Sequence, residues 1–178
     1  MKILPRTQFG NPILRSKART VSLGFLNTQK AKNLIKKMLY TMRRTNGVGI
    51  AAPQVGQSLQ MAVIETRPTP TRPKLKRRGP IVIVNPKIKK YSGGKINGWE
   101  GCLSLVGVCG KVPRKKEIVV QYYNEKGEKV KEKATGLWAR IFQHEIDHLN
   151  GITYIDRIEN TTTIMSSSEF KKRILKKK

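Results

Sequence analysis

The chain contains two histidines, and they stand four apart in His144-Glu145-Ile146-Asp147-His148. Residues four apart share one face of an α-helix. Both imidazoles can therefore reach one metal ion, with the Glu145 carboxyl beside the first of them, placed to take a proton from a water at the metal. The flanking residues say what kind of helix this is. Over the helix expected at residues 135–149, Leu137 and Ile141 fall on the histidine face, and Trp138, Phe142 and Ile146 fall on an adjacent one. A helix apolar on both sides is a buried helix, and a buried imidazole pair needs partners to offset the water it loses. The rest of the fold must wrap around this segment, which Asn150-Gly151 ends with a left-handed stop.

The remaining elements follow from periodicity. Leu34, Ile35, Met38, Leu39 and Met42 recur at helical spacing, so a second helix is expected at residues 28–45, with Lys30, Lys36, Lys37 and Arg44 on its other face. Asn27 or Thr28 can cap its start, and Asn46-Gly47 its end. Short β-rich runs lie at 59–65, 81–85 and 118–123, and a turn at 124–128 leads into a polar strand at 129–133. Helices and strands are segregated, which predicts an α+β fold, with small antiparallel or mixed sheets packed around the buried central helix. A length of 178 residues fits one catalytic domain, expected at 1–165, followed by a basic tail at 166–178.

A catalytic metal site takes three protein ligands and keeps one position open. Candidates for the third are Cys102, Cys109, Glu159 and Glu169. Cys102 stands in Glu100-Gly101-Cys102-Leu103-Ser104, among small residues that let the backbone approach a ligand closely. Cys109 reads as a small buried hydrophobe. The run Gly47-Val48-Gly49-Ile50-Ala51-Ala52-Pro53-Gln54 lacks the G-K-[ST] of a phosphate loop. It forms instead a tight wall ending in an amide donor, suited to an extended peptide.

Together the segments 47–54, 100–104 and Gln143–Leu149 resemble the peptide deformylase family, whose signature is G-x-G-x-A-A-x-Q, E-G-C-L-S and Q-H-E-x-D-H-L in that order. The likeness extends over residues 3–160 and departs from the family pattern at Val106, where proline is usual, and at Cys109. It implies that Cys102, His144 and His148 hold one divalent metal, Fe²⁺ in the cell, with Zn²⁺ or Ni²⁺ also accepted. It implies that Glu145 relays a proton from the attacking water to the departing amine. The Leu103 backbone N–H and the Gln54 side-chain amide would meet the oxyanion together with the metal. Val48, Leu137, Ile141 and the His144 ring would line a methionine pocket, and the Gly49 backbone would pair with the substrate. The substrates implied are N-formyl-methionyl nascent peptides, the products formate and a free amino terminus.

Two other readings use the same residues. A metalloprotease would recruit Glu169, separated from His148 by 20 residues; a structural zinc in a nucleic-acid-binding module would recruit Cys109 beside Cys102. The module fits poorly, since six residues separate the cysteines and 34 separate Cys109 from His144, against roughly two to four and twelve in zinc fingers.

Charge and composition exclude further classes. No apolar run reaches the roughly 18 residues of a membrane span, so no membrane association is expected. Two cysteines cannot build a disulfide framework, and Met1-Lys2-Ile3-Leu4-Pro5-Arg6 lacks a secretory apolar core. With the family likeness starting near residue 3, no cleavable presequence is expected, and the reducing cytoplasm is the expected compartment. The net charge is +26, and residues 1–99 hold 21 Lys and Arg against one acid, Glu65. Such a field attracts polyanions. The proline-rich segment 67–79 is expected to be an exposed basic loop, and residues 171–178 carry six cations in eight. Both are expected to lie clear of the site and to contact ribosomal RNA, although a merely solvated surface would carry the same charge.

Overall fold

In the computed structural model, which describes residues 1–175, a short helix α1 (Leu23–Leu26) precedes the amphipathic helix α2 (Gln29–Arg44). Strands β1 (Gly49–Ala51), β2 (Met61–Thr66), β3 (Arg78–Cys102), β4 (Leu105–Tyr123) and β5 (Lys129–Thr135) lead to helix α3 (Gly136–Leu149). Strand β6 (Met165–Ser166) and helix α4 (Ser167–Phe170) follow, and the chain continues into a wider π-turn at Lys171–Leu175. The strands form one sheet in the order β1-β2-β3-β4-β5, with β6 added to β4, and every pairing is antiparallel. The α+β expectation holds. No helix among the described residues is long and apolar enough to cross a membrane.

Period-two alternation divides the core between the two main helices. Strand β2 is buried at all six positions. Its Ala62 and Ile64, with Ile83 of β3, pack against Phe142, Ile141 and Leu149 of α3. Its Met61 and Val63, with Val82 and Val84, pack against Met38 and Met42 of α2. The helix carrying the histidines thus lies on one face of the sheet and α2 on the other. Phe142 is fully buried, and truncating it to alanine would cost about 3–5 kcal/mol.

The local signals act as their chemistry requires. The Thr28 hydroxyl accepts from the Ala31 N–H at 3.2 Å and caps α2, which stops where Asn46 turns left-handed at φ 57°. Gly151 ends α3 at φ 75°, and a Cβ there would lie 2.5 Å from the Arg15 carbonyl oxygen, so the position admits only glycine. The Asn124 side chain accepts from the backbone N–H groups of Lys126 and Glu128, closing the turn into β5.

Three expectations are corrected. The runs read at 81–85 and 118–123 are pieces of much longer strands, β3 and β4, which pair almost end to end with several register shifts. Residues 86–101 escaped detection because Gly93, Gly94 and Gly98 and several lysines interrupt any alternation; long-range pairing holds them instead. Second, segment 67–79 is a mostly exposed basic loop, as expected, but it does not lie clear of the site. Arg67 donates to the carbonyls of Gly47 at 2.8 Å and Arg43 at 2.9 Å, anchoring the segment to the C-terminal end of α2. Thr69 is buried and exchanges two backbone bonds with Arg72, while Lys74, Lys76, Arg77 and Arg78 stay exposed. Third, the C-terminal residues do not stand clear of the site, because β6 docks on Val108 and Cys109 of β4. Of the expected basic tail, residues 176–178 lie outside the described residues.

Candidate active site

Helix α3 presents His144 and His148 one turn apart, and the end of β3 brings Cys102 to them. The Cys102 Sγ lies 3.2 Å from His148 Nε2, which lies 3.2 Å from His144 Nε2. All three ligand atoms fall within 4.8 Å of one another. Glu159 instead pairs with Lys95 on the surface, and Glu169 accepts from Lys172. Cys109 is buried with its Sγ toward the Met165 carbonyl at 3.7 Å. None of the three joins the cluster, so the residues that a protease or a zinc finger would need are elsewhere.

A buried ionic network, which sequence reasoning missed, sets the orientation of the histidines. His144 Nδ1 meets Glu100 Oε2 at 2.8 Å, which leaves Nε2 facing Cys102 and His148. Glu100 also accepts a forked pair from Arg114 at 3.0 and 3.1 Å and a third bond from Arg140 at 2.7 Å. Arg114 continues to Asp147 at 2.5 Å, and Asp147 takes two more bonds from Arg157. Both carboxylates of this network, Glu100 and Asp147, have cationic partners, as burial of charge demands. Gln143, next to His144, bonds both the N–H and the C=O of Lys115 and so ties α3 to β4. A signal for this network was available: Arg140 stands one turn before His144 inside an apolar run, and a cation there needs a buried acid.

Electrostatics fit a metal. Burial alone would raise the Glu100 carboxyl, but its bonds from His144 and Arg114 hold it well below the usual carboxylate range. Burial likewise opposes ionisation of Cys102, yet His148 and His144 bring the thiol well below its ordinary value, toward the thiolate that ligates. For His144, burial favours the neutral ring and Cys102 and Glu100 outweigh it, raising the group. Burial pushes the Glu145 carboxyl up to about 7 against the pull of both histidines. Its Oε2 is buried with no hydrogen-bond partner among the described residues. Its Oε1 occupies the space that a side chain on residue 49 would need, since a Cβ there would sit 2.2 Å away, so Gly49 is required. A sulfur and two imidazole nitrogens beside an unsatisfied carboxylate make a donor set for a borderline divalent metal.

A cavity of about 510 Å³ opens over the cluster, and the expected residues border it: Val48 and Gly49 at the start of β1, Gln54, Leu103, and Leu137 and Ile141 on α3. The Gln54 carbonyl accepts from the Ala51 N–H at 2.7 Å, which aims its Nε2 at Cys102 Sγ, 3.2 Å away. Ser104, fully buried, donates its N–H to the same sulfur at 3.4 Å. Both segments expected to stand apart also reach this cavity, the first through Thr71 and Arg72 and the second through Phe170 and Ile174.

Comparison with known proteins agrees. The polypeptide deformylase family pattern matches residues 3–163. A relative called peptide deformylase 2, from a Nostoc species, is 40% identical over 98% of this chain and 97% of its own length. The peptide deformylase of Desulforudis audaxviator is 41% identical over 95% of this chain and all of its own. A Met-Ala-Ser-bound crystal structure of a class I type b peptide deformylase from Acinetobacter baumannii superposes with a TM-score of 0.85 at 41% identity, covering 88% of this chain and 99% of the other. The chain belongs to the polypeptide deformylase family, metal-dependent hydrolases that remove the formyl group from the N-terminal methionine of newly made polypeptides.

Proposed function

We propose the following division of labour in this cleft. Cys102, His144 and His148 hold one divalent ion, Fe²⁺ in the cell, with Zn²⁺ or Ni²⁺ able to replace it. When bound, the ion supplies Lewis-acid polarisation of the formyl carbonyl and acidifies water. Glu145, whose free Oε2 is the observation that carries this reading, takes the proton of the attacking water and returns it to the leaving amine. A carboxyl pushed up to about 7 is suited to both steps near neutral pH. The Gln54 Nε2 and the Leu103 backbone N–H donate to the oxygen that becomes negative.

The first substrate side chain, methionine, fills the space between Val48, Leu137, Ile141 and the His144 ring. Strand β1 lies at the end of the sheet order and pairs with β2 on one side. Its other edge, at Gly49, takes the peptide as an added strand. The Acinetobacter relative with Met-Ala-Ser bound supports a tripeptide-sized occupant. The test is formate release from formyl-Met-Ala-Ser by anaerobically purified protein, with an internally cleavable formyl-free peptide as control. Formate without internal cleavage supports the reading; internal cleavage without formate overturns it in favour of a protease.

A formylated nascent-chain substrate supports the cytoplasm as the working compartment, with residues 1–165 as the catalytic domain. The exposed cations Lys74, Lys76, Arg77, Lys171, Lys172 and Arg173 border the cleft segments, and they would hold its mouth near ribosomal RNA through phosphate contacts. Each neutralised phosphate adds about one unit of logarithmic salt slope. Co-sedimentation with ribosomes at several salt concentrations, comparing the full chain with one ending at Ser168, checks it. An unchanged slope would remove the C-terminal cations from the anchor.

A further inference from the structure

The cleft is longer than the reaction at its floor requires. Beyond the metal cluster it continues between the turn after Cys102 and the C-terminal segment, where Trp99, Phe170, Lys171, Ile174 and Leu175 border it. Three contacts fix this wall. Strand β6 pairs with Val108 and Cys109, directly after the rim residues 105–107. The Ser166 hydroxyl accepts from the Glu169 N–H at 3.2 Å and starts α4. The Phe170 ring then packs on Trp99, with centroids 5.1 Å apart and planes tilted by 60°. Trp99 lies on β3 three residues before Cys102, so the wall is braced on the strand that delivers a metal ligand.

The lining of the cleft is chemically mixed. Thr71 and Arg72 contribute polar groups to it, whereas Phe170, Ile174 and Leu175 contribute half-buried apolar ones. Phe170 and Ile174 are four apart and face the same way, with Lys172 and Arg173 left in solvent. An extended peptide sends alternate side chains to opposite sides. A chain anchored by its methionine therefore offers one of its next two side chains to the apolar wall, where contact removes apolar surface from water on both partners.

We propose that Phe170 and Ile174 form the subsite for the residues that follow methionine, so that the C-terminal segment gives this chain a preference for substrates with apolar side chains there. The inference rests on the deformylase reading of the cleft and deepens it, and its occupant is the substrate itself because the wall is continuous with the metal cavity. The experiment compares kcat/KM for formyl-Met-Leu-Phe with that for formyl-Met-Ala-Ser, in the parent and in the double variant Phe170→Ala/Ile174→Ala, with metal content measured on each. The parent should favour the apolar peptide. The double variant should lower the ratio by about tenfold, through KM rather than kcat, with metal content unchanged. Phe170→Leu, which keeps an apolar side chain, should restore most of the preference. Ile174→Ser leaves the Trp99 contact in place and carries the same test if the double variant does not fold. An unchanged ratio overturns the proposal. So does an equal loss on both peptides with falling metal content, which would make the segment only a brace for Trp99. Absence of formate from either peptide with the parent protein would instead defeat the deformylase reading beneath it.

Discussion

The floor and the mouth of the cleft are built by opposite means. At the floor, Glu100, Arg114, Arg140, Asp147 and both histidines are bonded side chain to side chain, mostly out of water. At the mouth, the 67–79 segment and the C-terminal segment are held by backbone pairing and a few anchors, with cations facing solvent. The floor fixes groups to the tolerance that chemistry needs. The mouth fixes only which peptide enters. If this division is right, damage to the floor should appear in metal binding and kcat, and damage to the mouth in KM.

The largest effect is expected from Cys102→Ser, which removes a soft ligand. Its metal affinity should fall more than about 10²-fold, beyond the loss usual for an outer partner, while Cys109→Ser keeps its metal. Equal loss in both, by metal analysis after dialysis, would break the assignment of ligands. Glu100→Gln should come next. It keeps the shape but loses the charge that orients His144 and neutralises two arginines, and it should cost about 10- to 100-fold in metal affinity. At the mouth, Arg67→Ala removes the bonds to the Gly47 and Arg43 carbonyls and loosens the 67–79 segment. It should raise KM by less than about tenfold, with kcat and metal content held. A fall in kcat at constant KM would mean that the 67–79 segment supports the chemistry directly.

The smallest effect concerns Glu65, near the end of β2, which is tied to α2 through two bonds from Arg43 at 2.9 and 2.7 Å. Those bonds hold its carboxyl below the ordinary range. Stability from this pair is therefore present above the unfolded carboxylate pKa, about 4.3, and is lost as pH falls through the lower folded value. Glu65→Gln should be less stable than the parent by about 1 kcal/mol or less at neutral pH, since Arg43 is largely exposed. The two should converge in acid. A gap that persists at low pH would mean packing, not charge, holds the pair.

The same division explains what the sequence made readable. The Cys102, His144 and His148 cluster was legible because two of its members lie on one helix with Glu145 between them, and helical spacing turns sequence order into geometry. The stops at Asn46 and Gly151 were legible because each is a local backbone requirement. Glu100 and Arg140 lie forty residues apart, and only the fold brings them to 2.7 Å. Residues 86–101 carry no alternation and become strand through pairing with β4. Arg67 and Phe170 sat inside cationic runs that suggested solvent, and both are anchored by partners distant in sequence, Gly47 and Trp99.

The central claim is that Glu145 handles the proton while the neighbouring residues hold the ion. It is tested most directly by Glu145→Ala, assayed for bound metal and for formate release from formyl-Met-Ala-Ser in one anaerobic preparation. The expected result is full metal content with turnover lowered at least about 10²-fold, the usual contribution of a general base. Turnover near that of the parent, with the metal retained, would contradict the account.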